Sequence, residues 1–135
     1  MKSNRNTEQL GIFRPEIKPQ HQEVKIVLKS KDGNSNWTTT LDLETGPNTP
    51  PKMLILELPS RANQPTGEMR QISNAQSEFT VDLVGAASPA TLTDLSATPR
   101  QNWMATMFTK FASCPAAIAV LVTRGTISVT LHSEE

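Results

Sequence analysis

Residues 116–133 contain two runs of alternating apolar residues that are separated by a two-residue turn signal. Every second position is apolar in both runs: Ile118, Val120 and Val122 in the first, and Ile127, Val129 and Leu131 in the second. A period of two is that of a β-strand with one buried face, because successive side chains point to opposite faces. Arg124-Gly125 lies between the runs, and a glycine that accepts positive φ allows a tight turn. The sequence therefore predicts a β-hairpin here.

Five earlier segments carry similar strand patterns. They are EVKIVLKS (23–30), WTTTLDLE (37–44), KMLILELP (52–59), the weaker EMRQIS (68–73) and EFTVDLVG (78–85). Asp32-Gly33 lies between the first two and is a turn signal, so these two form a second predicted hairpin. The run at 52–59 is almost continuously apolar, which predicts a strand buried on both faces. Together with the pair at 116–133, these segments make about seven strands.

The segment 99–113 is the one good helix candidate. Thr98 is a plausible N-cap and Pro99 suits the first helical position, while Cys114-Pro115 ends the pattern because the residue before proline avoids helical geometry. The apolar residues recur at helical spacing: Trp103, Met104, Met107, Phe108 and Phe111. Such a stripe is typical of a helix that packs its aromatic side chains on a sheet, and a groove for a cofactor or partner is the alternative. A further helical turn is predicted near 91–95.

The predicted fold is mainly β: an antiparallel sandwich or barrel-like sheet of about seven strands, with the amphipathic helix packed on it. Residues 1–22 are polar, contain Pro15 and Pro19 and show no sustained period, so we expect a flexible N-terminal arm followed by a single β-rich domain at 23–135. The arm holds one small apolar cluster that a purely solvated segment would not need. Its members are Leu10, Ile12, Phe13 and Ile17.

The residues of common catalytic and cofactor sites are sparse. The chain has one cysteine and two histidines, too few for a recognisable zinc pattern, and its six glycines are scattered rather than clustered into a phosphate-binding loop. We therefore expect no cofactor, no metal, no small-molecule substrate and no enzymatic activity. Cys114 with His132 is the one pair worth naming for thiol chemistry, although a cysteine that follows an apolar helix is typically a small buried hydrophobe.

The single cysteine and the absence of a signal-peptide pattern favour a reducing compartment, and no apolar run is long enough to cross a bilayer. The expected location is the cytoplasm or a virion.

Charge is unevenly spread although the net charge is zero. Residues 1–31 hold seven basic and three acidic side chains, and residues 32–98 hold three basic and eight acidic ones. The candidates for contact with an anionic partner are Arg5, Arg14, Lys25, Lys29 and Lys31. This excess is far below that of a polybasic arm, so nucleic acid is at most a weak partner and a scattered, solvated surface is the alternative.

Three features occur together: an arm with an apolar cluster, a strand-rich domain without disulfides, and the strand GTISVTLHS at 125–133. In architecture this combination resembles small viral coat or matrix proteins, although its arm is less basic than that of RNA-packaging coats. The resemblance implies a self-assembling structural protein whose partner is itself, as a homo-oligomer joined through sheet edges and through Ile12, Phe13 and Ile17. The alternatives are a regulatory module that binds a protein or nucleic acid, and an enzyme.

Overall fold

The computed structural model describes residues 5–14, 21–58, 65–73, 77–85 and 87–134, and this part of the chain is mainly β, with two sheets and one α-helix. The strands of this part are β1 (Arg5–Phe13), β2 (His21–Ser30), β3 (Asn36–Glu44), β4 (Lys52–Leu58), β5 (Pro65–Ser73), β6 (Glu78–Leu83), β7 (Thr91–Asp94), β8 (Ala116–Thr123) and β9 (Thr126–Glu134). The helix, α1, runs from Trp103 to Ser113. The prediction of a mainly β fold with one helix is therefore confirmed.

The strands form one five-stranded sheet in the order β1-β9-β8-β4-β7 and one four-stranded sheet in the order β3-β2-β6-β5. The sheets do not close into a barrel, so the sandwich alternative is confirmed and the barrel-like one is wrong. All neighbours in the five-stranded sheet are antiparallel, whereas β2 and β6 run parallel in the four-stranded sheet. Parallel pairing requires a long connection, here the segment that carries β3, β4 and β5, and local sequence patterns give no sign of it.

The main core lies between the two sheets and consists of the inward-facing apolar residues of their central strands. From the four-stranded sheet it takes Val24, Ile26 and Leu28 of β2 and Phe79, Val81 and Leu83 of β6; from the five-stranded sheet it takes alternate residues of β4, β8 and β9. In β4, Leu54 and Leu56 face this core, while Met53 and Ile55 point to the opposite face and contact the helix. The prediction that this strand is buried on both faces is confirmed.

Both predicted hairpins are present. Strands β8 and β9 pair up to Thr123 and Thr126, and Arg124 and Gly125 form the turn between them with φ values of 38° and 76°. Strands β2 and β3 are joined by residues 31–35, where Gly33 has a φ of 78°. Positive φ at these positions is the conformation for which glycine is the usual choice.

The segment predicted to be a flexible arm contains a strand. Residues Arg5–Phe13 form β1, which pairs antiparallel with β9 from Arg5 opposite Glu134 to Phe13 opposite Ile127. The prediction of a flexible arm over residues 1–22 is therefore wrong for this stretch. A β-bulge between Gln9 and Gly11 interrupts the alternation of the strand and conceals its period of two.

The region before the helix also differs from the expectation. The predicted helical turn near 91–95 is instead strand β7 followed by a 3-10 turn at Leu95–Ala97, and Thr98 ends that turn rather than capping α1. Pro99 has an extended ψ of 139°, and a second 3-10 turn at Arg100–Asn102 leads into the α-helix. The predicted end of the helix is confirmed, because Cys114 adopts extended geometry directly after Ser113.

Candidate interaction surface

Helix α1 packs across the outer face of the five-stranded sheet. Its inward side chains, Trp103, Met107 and Phe111, are buried against a second apolar cluster that includes Ile55 and Ala117. The indole Nε1 of Trp103 donates hydrogen bonds to the carbonyl oxygens of Leu95, at 3.1 Å, and Thr98, at 2.9 Å. A buried indole N–H that is satisfied in this way holds the start of the helix in a single position.

The apolar stripe of α1 is wider than the surface that the sheet covers. Met104 and Phe108 belong to the predicted stripe, yet their side chains are 54% and 60% exposed. The five stripe positions span about 140° around the helix axis at 100° per residue, and the sheet covers only the sector that contains Trp103, Met107 and Phe111. The prediction that the whole stripe is core is therefore wrong, and two of its five residues, Met104 and Phe108, form an exposed apolar face.

This exposed face is one wall of a groove of about 480 Å³ between α1 and the edge of the sheet. The helix contributes Met104, Met107, Phe108, Phe111 and Ala112, and the sheet contributes Thr7 of β1 and His132 of β9. The groove is thus largely apolar, with one hydroxyl and one imidazole at its base. Thr7 and His132 are 125 positions apart, so no local sequence signal predicts that they meet. The sequence placed Thr7 in no candidate site and named His132 only together with Cys114.

The two polar residues at the base of the groove contact each other. The hydroxyl oxygen of Thr7 lies 2.9 Å from Nδ1 of His132, and the His132 ring lies 4.5 Å, centroid to centroid, from the ring of Phe111. These contacts link β1, β9 and α1 at a single point. The base of the groove is therefore held by side chains from three different elements.

Strand β1 is at the end of its sheet, with β9 on one side and no other strand paired with it among the described residues. An edge strand presents a row of backbone N–H and C=O groups to which another strand can bind. Ile12 of β1 is 64% exposed and lies on the helix-bearing face, because it pairs with Ser128, which in turn pairs with Leu121 of the helix-side cluster. The groove and the exposed Ile12 therefore occupy one face of the same edge strand.

Of the other two members of the predicted self-association cluster, the structure describes Phe13. Phe13 faces the main core, where its ring lies 6.2 Å from that of Phe79 in the opposite sheet, so it packs within its own chain. Ile17 lies outside the described residues. Of the two predicted residues that the structure describes, Ile12 is at an exposed position of the sheet edge and Phe13 is not.

The predicted basic residues are distributed over two regions and are accompanied by acids. Lys25 and Lys29 lie on the outer face of β2, and the parallel register puts Glu78 beside Lys25 and Asp82 beside Lys29. The structure therefore does not gather these lysines into a separate basic surface.

The remaining basic candidates lie at strand ends and turns. Lys31 is exposed in the β2–β3 turn, where it lines a shallow pocket of about 520 Å³ with Asp32. Arg5 begins β1, and Arg14 is exposed directly after that strand. The Asp32 carboxylate accepts hydrogen bonds from the Asn34 N–H and the Ser30 hydroxyl, and these bonds hold the pKa of Asp32 below its usual value. This carboxylate therefore stabilises the turn.

Cys114 has the surroundings of a structural residue. Its side chain is buried in the helix-side cluster, and its Sγ lies 3.1 Å from the carbonyl oxygen of Lys110 and 3.4 Å from that of Ala116. A cysteine buried in this way packs as a small apolar side chain. The predicted burial of this cysteine is confirmed.

A partly buried ion pair fixes the second half of α1 to the sheet. Nζ of Lys110 donates to Oε1 of Glu57 at 3.1 Å, and the two side chains are 25% and 17% exposed. Reduced access to water strengthens such a pair relative to one on the open surface. The helix is therefore anchored by both apolar packing and charge.

Within the ranges described above, no group of three or more His, Cys, Asp or Glu side chains is arranged to hold a metal ion. None of the helices in those ranges has the length and apolar character needed to cross a membrane. No family model matches the chain, and neither a curated protein nor a solved structure shows significant similarity to it. The function is therefore argued from the fold and from the surface formed by α1 and β1.

Proposed function

We propose that the protein is a self-assembling structural protein of the coat or matrix kind, and that its subunits associate through the edge of β1 and the apolar groove beside α1. The observation that carries this proposal is the exposed part of the helix stripe, Met104 and Phe108, next to an edge strand. An exposed apolar patch beside unpaired strand edges is a surface that a second protein surface covers favourably.

The composition of this surface supports a protein partner. Aromatic residues and methionine are enriched at protein–protein interfaces, and the groove wall is built from Met104, Phe108 and the edge of Phe111. Strand β1 carries two charged residues, Arg5 at its start and Glu8, and the stretch from Gln9 to Phe13 carries none. Sheet edges that are kept from pairing usually carry charge, often lysine, so the second half of this edge has little electrostatic protection against a second strand.

The nucleic-acid alternative draws less support from the same structure. Binding of a phosphate backbone needs several basic side chains on one surface, whereas Lys25 and Lys29 have Glu78 and Asp82 as lateral neighbours. The acidic neighbours would repel phosphates at the positions where the lysines attract them. A homo-oligomer remains the partner that the geometry favours.

Light scattering coupled to size-exclusion chromatography, from micromolar to millimolar protein, tests the proposal on the full chain. We expect the mass to rise with concentration, and we expect Phe108→Ser to weaken the association at least tenfold. Val84→Ser is the matched control, because Val84 is 58% exposed, close to the 60% of Phe108, but follows a strand of the other sheet. A monomer throughout this range would overturn the proposal, as would salt-sensitive RNA binding that is lost when Lys25 and Lys29 become Gln.

A further inference from the structure

The bulge in β1 gives the strand an unusual arrangement of side chains. Thr7 and Ile12 are five positions apart, and in a regular strand they would face opposite sides of the sheet. The extra residue between Gln9 and Gly11 reverses this alternation, so Thr7 pairs with His132 and Ile12 with Ser128, both on the helix-bearing face. One face of the edge strand therefore carries the base of the groove at one end and an exposed Ile12 at the other.

We propose, on the basis of the function proposed above, that a second copy of this chain binds by antiparallel pairing of its β1 with β1, in the register that sets Thr7 of each copy opposite Ile12 of the other. A two-fold axis relates the copies, so this contact occurs twice. Each exposed Ile12 then reaches the groove of the opposite copy, beside Thr7 and Phe108. The two five-stranded sheets become one continuous sheet with both helices on the same side.

The bulge favours this register. Directly opposite residues of an antiparallel pair must point to the same face of the sheet. With Thr7 opposite Ile12, two outward-facing residues meet, and Glu8 falls opposite Gly11, both of which pair with inward-facing residues of β9. The central pairs, Gln9 of each copy opposite Leu10 of the other, do not share a face, because they lie at the bulge of both strands, where the alternation is interrupted. A register with Gln9 opposite its own counterpart would instead set outward-facing Thr7 against inward-facing Gly11.

The exposed fractions show what the contact would remove from water. Ile12 is 64% exposed and Phe108 is 60% exposed in the single chain, and both are large apolar side chains. The same pairing gives hydrogen-bond partners to the backbone N–H and C=O groups on the side of β1 that points away from β9. One contact would therefore cover the exposed isoleucine, the groove and the strand edge that no described strand pairs with.

Disulfide cross-linking between two single-cysteine substitutions tests the register. Thr7→Cys and Ile12→Cys chains are purified separately, mixed and oxidised, and the covalent dimer is quantified on a non-reducing gel. In the proposed dimer the substituted positions are directly opposite, within the reach of a disulfide, only in the mixture. In a dimer of either variant alone, the two substituted cysteines, one in each copy, are displaced by five residues along the strands, roughly 16 Å. We expect at least tenfold more covalent dimer from the mixture than from either variant alone.

Controls separate this contact from random collision. In the control, Val84→Cys replaces Ile12→Cys in the mixture with Thr7→Cys. Val84 is 58% exposed, close to the 64% of Ile12, but follows a strand of the other sheet, so we expect no more dimer than with single variants. The buried native Cys114 is present in every sample and cannot cause a difference between them. Circular dichroism of each variant confirms that the strands are retained.

The outcomes distinguish the register from the proposed function. Equal cross-linking in a single variant, or self-association by light scattering without cross-linking in the mixture, would overturn this register and leave the self-assembly proposal standing. A monomer in light scattering, with no covalent dimer in the mixture, would overturn both. Preferential cross-linking in the mixture, together with a mass that falls to that of a monomer in Ile12→Arg, would support both.

Discussion

The two phenylalanines of α1 offer a sharp test of how the helix packs. Phe108 and Phe111 are three residues apart on one helix and belong to the same sequence stripe, but their exposed fractions are 60% and 5%. Replacing each with alanine removes the same atoms from the same element. The difference between the two losses in unfolding free energy therefore reports which face of the helix contacts the sheet.

The expected losses follow from the buried areas. A phenylalanine contributes about 150–250 Å², so at about 25 cal/mol per Å² a nearly complete burial of Phe111 is worth roughly 4–6 kcal/mol. Because compact unfolded chains already bury some of this area, we expect Phe111→Ala to cost about 3–4 kcal/mol. Phe108 buries less than half as much, and the better helix propensity of alanine returns up to ~0.7 kcal/mol. We therefore expect Phe108→Ala to cost about 1 kcal/mol or less.

Urea denaturation, followed by tryptophan fluorescence and circular dichroism, measures both losses. Because self-association would add stability that depends on concentration, each variant is unfolded at a low and a high protein concentration, and the dilute values are compared. The Phe111 variant should unfold at a much lower urea concentration with an unchanged slope. Equal losses in dilute solution, or a larger loss for Phe108→Ala, would refute the assignment of the inward face.

Three further predictions concern the β8–β9 turn, the Asp94 carboxylate that caps the 3-10 turn at Leu95–Ala97 by accepting from the Ser96 N–H, and the Lys110–Glu57 ion pair. Gly125→Ala should lower the unfolding free energy measured in urea by about 1 kcal/mol, because the φ of Gly125 is 76° and an added Cβ meets no atom within 4 Å, so the loss comes from the backbone alone. Gly125→Asn should lower it less, and an equal loss for both variants would contradict the backbone explanation. Partial burial opposes ionisation of Asp94, but hydrogen bonds from Ser96 and the charge of Lys52 outweigh this effect and hold the pKa of Asp94 below the usual 3.8. The stabilisation by the ionised carboxylate is therefore complete above pH 3.8 and is lost as the pH falls through the lower folded pKa. When unfolding is measured across acid pH, this loss of stability should be smaller in Asp94→Asn. Lys110→Met should lower the unfolding free energy by ~1–2 kcal/mol and more than Glu57→Gln does, because it leaves a partly buried carboxylate without its cation; a larger loss for Glu57→Gln would argue against this reasoning.

The elements that could be predicted from the sequence are those whose signals are local. Strands β8 and β9 show unbroken alternation around Arg124-Gly125, and the end of α1 is marked by the residue before Pro115. Strand β1 was missed because its bulge shifts the alternation by one residue, so that the strand has no continuous period. The parallel partnership of β2 and β6 depends on residues far apart in sequence, and no local pattern encodes it.

The candidate site was predicted only in part for a related reason. Ile12 could be singled out because it is apolar within a polar segment, and the helix stripe could be recognised from its spacing. How much of that stripe the sheet covers depends on where the helix crosses it, so the exposure of Phe108 could not be read from periodicity. Thr7 and His132 come together only through the pairing of β1 with β9.

The pairing of β1 with β9 also has a consequence for how the protein is made. Residues that pair in this ladder, such as Thr7 and His132, are separated by 125 positions. During synthesis, β1 therefore cannot pair with β9 until almost all of the other strands have left the ribosome. A fold of such high contact order is expected to form in milliseconds to seconds, slowly for its size. During that interval the apolar residues of β4 and β8 lack their final cover, so a holding chaperone is expected to raise the yield of folded protein.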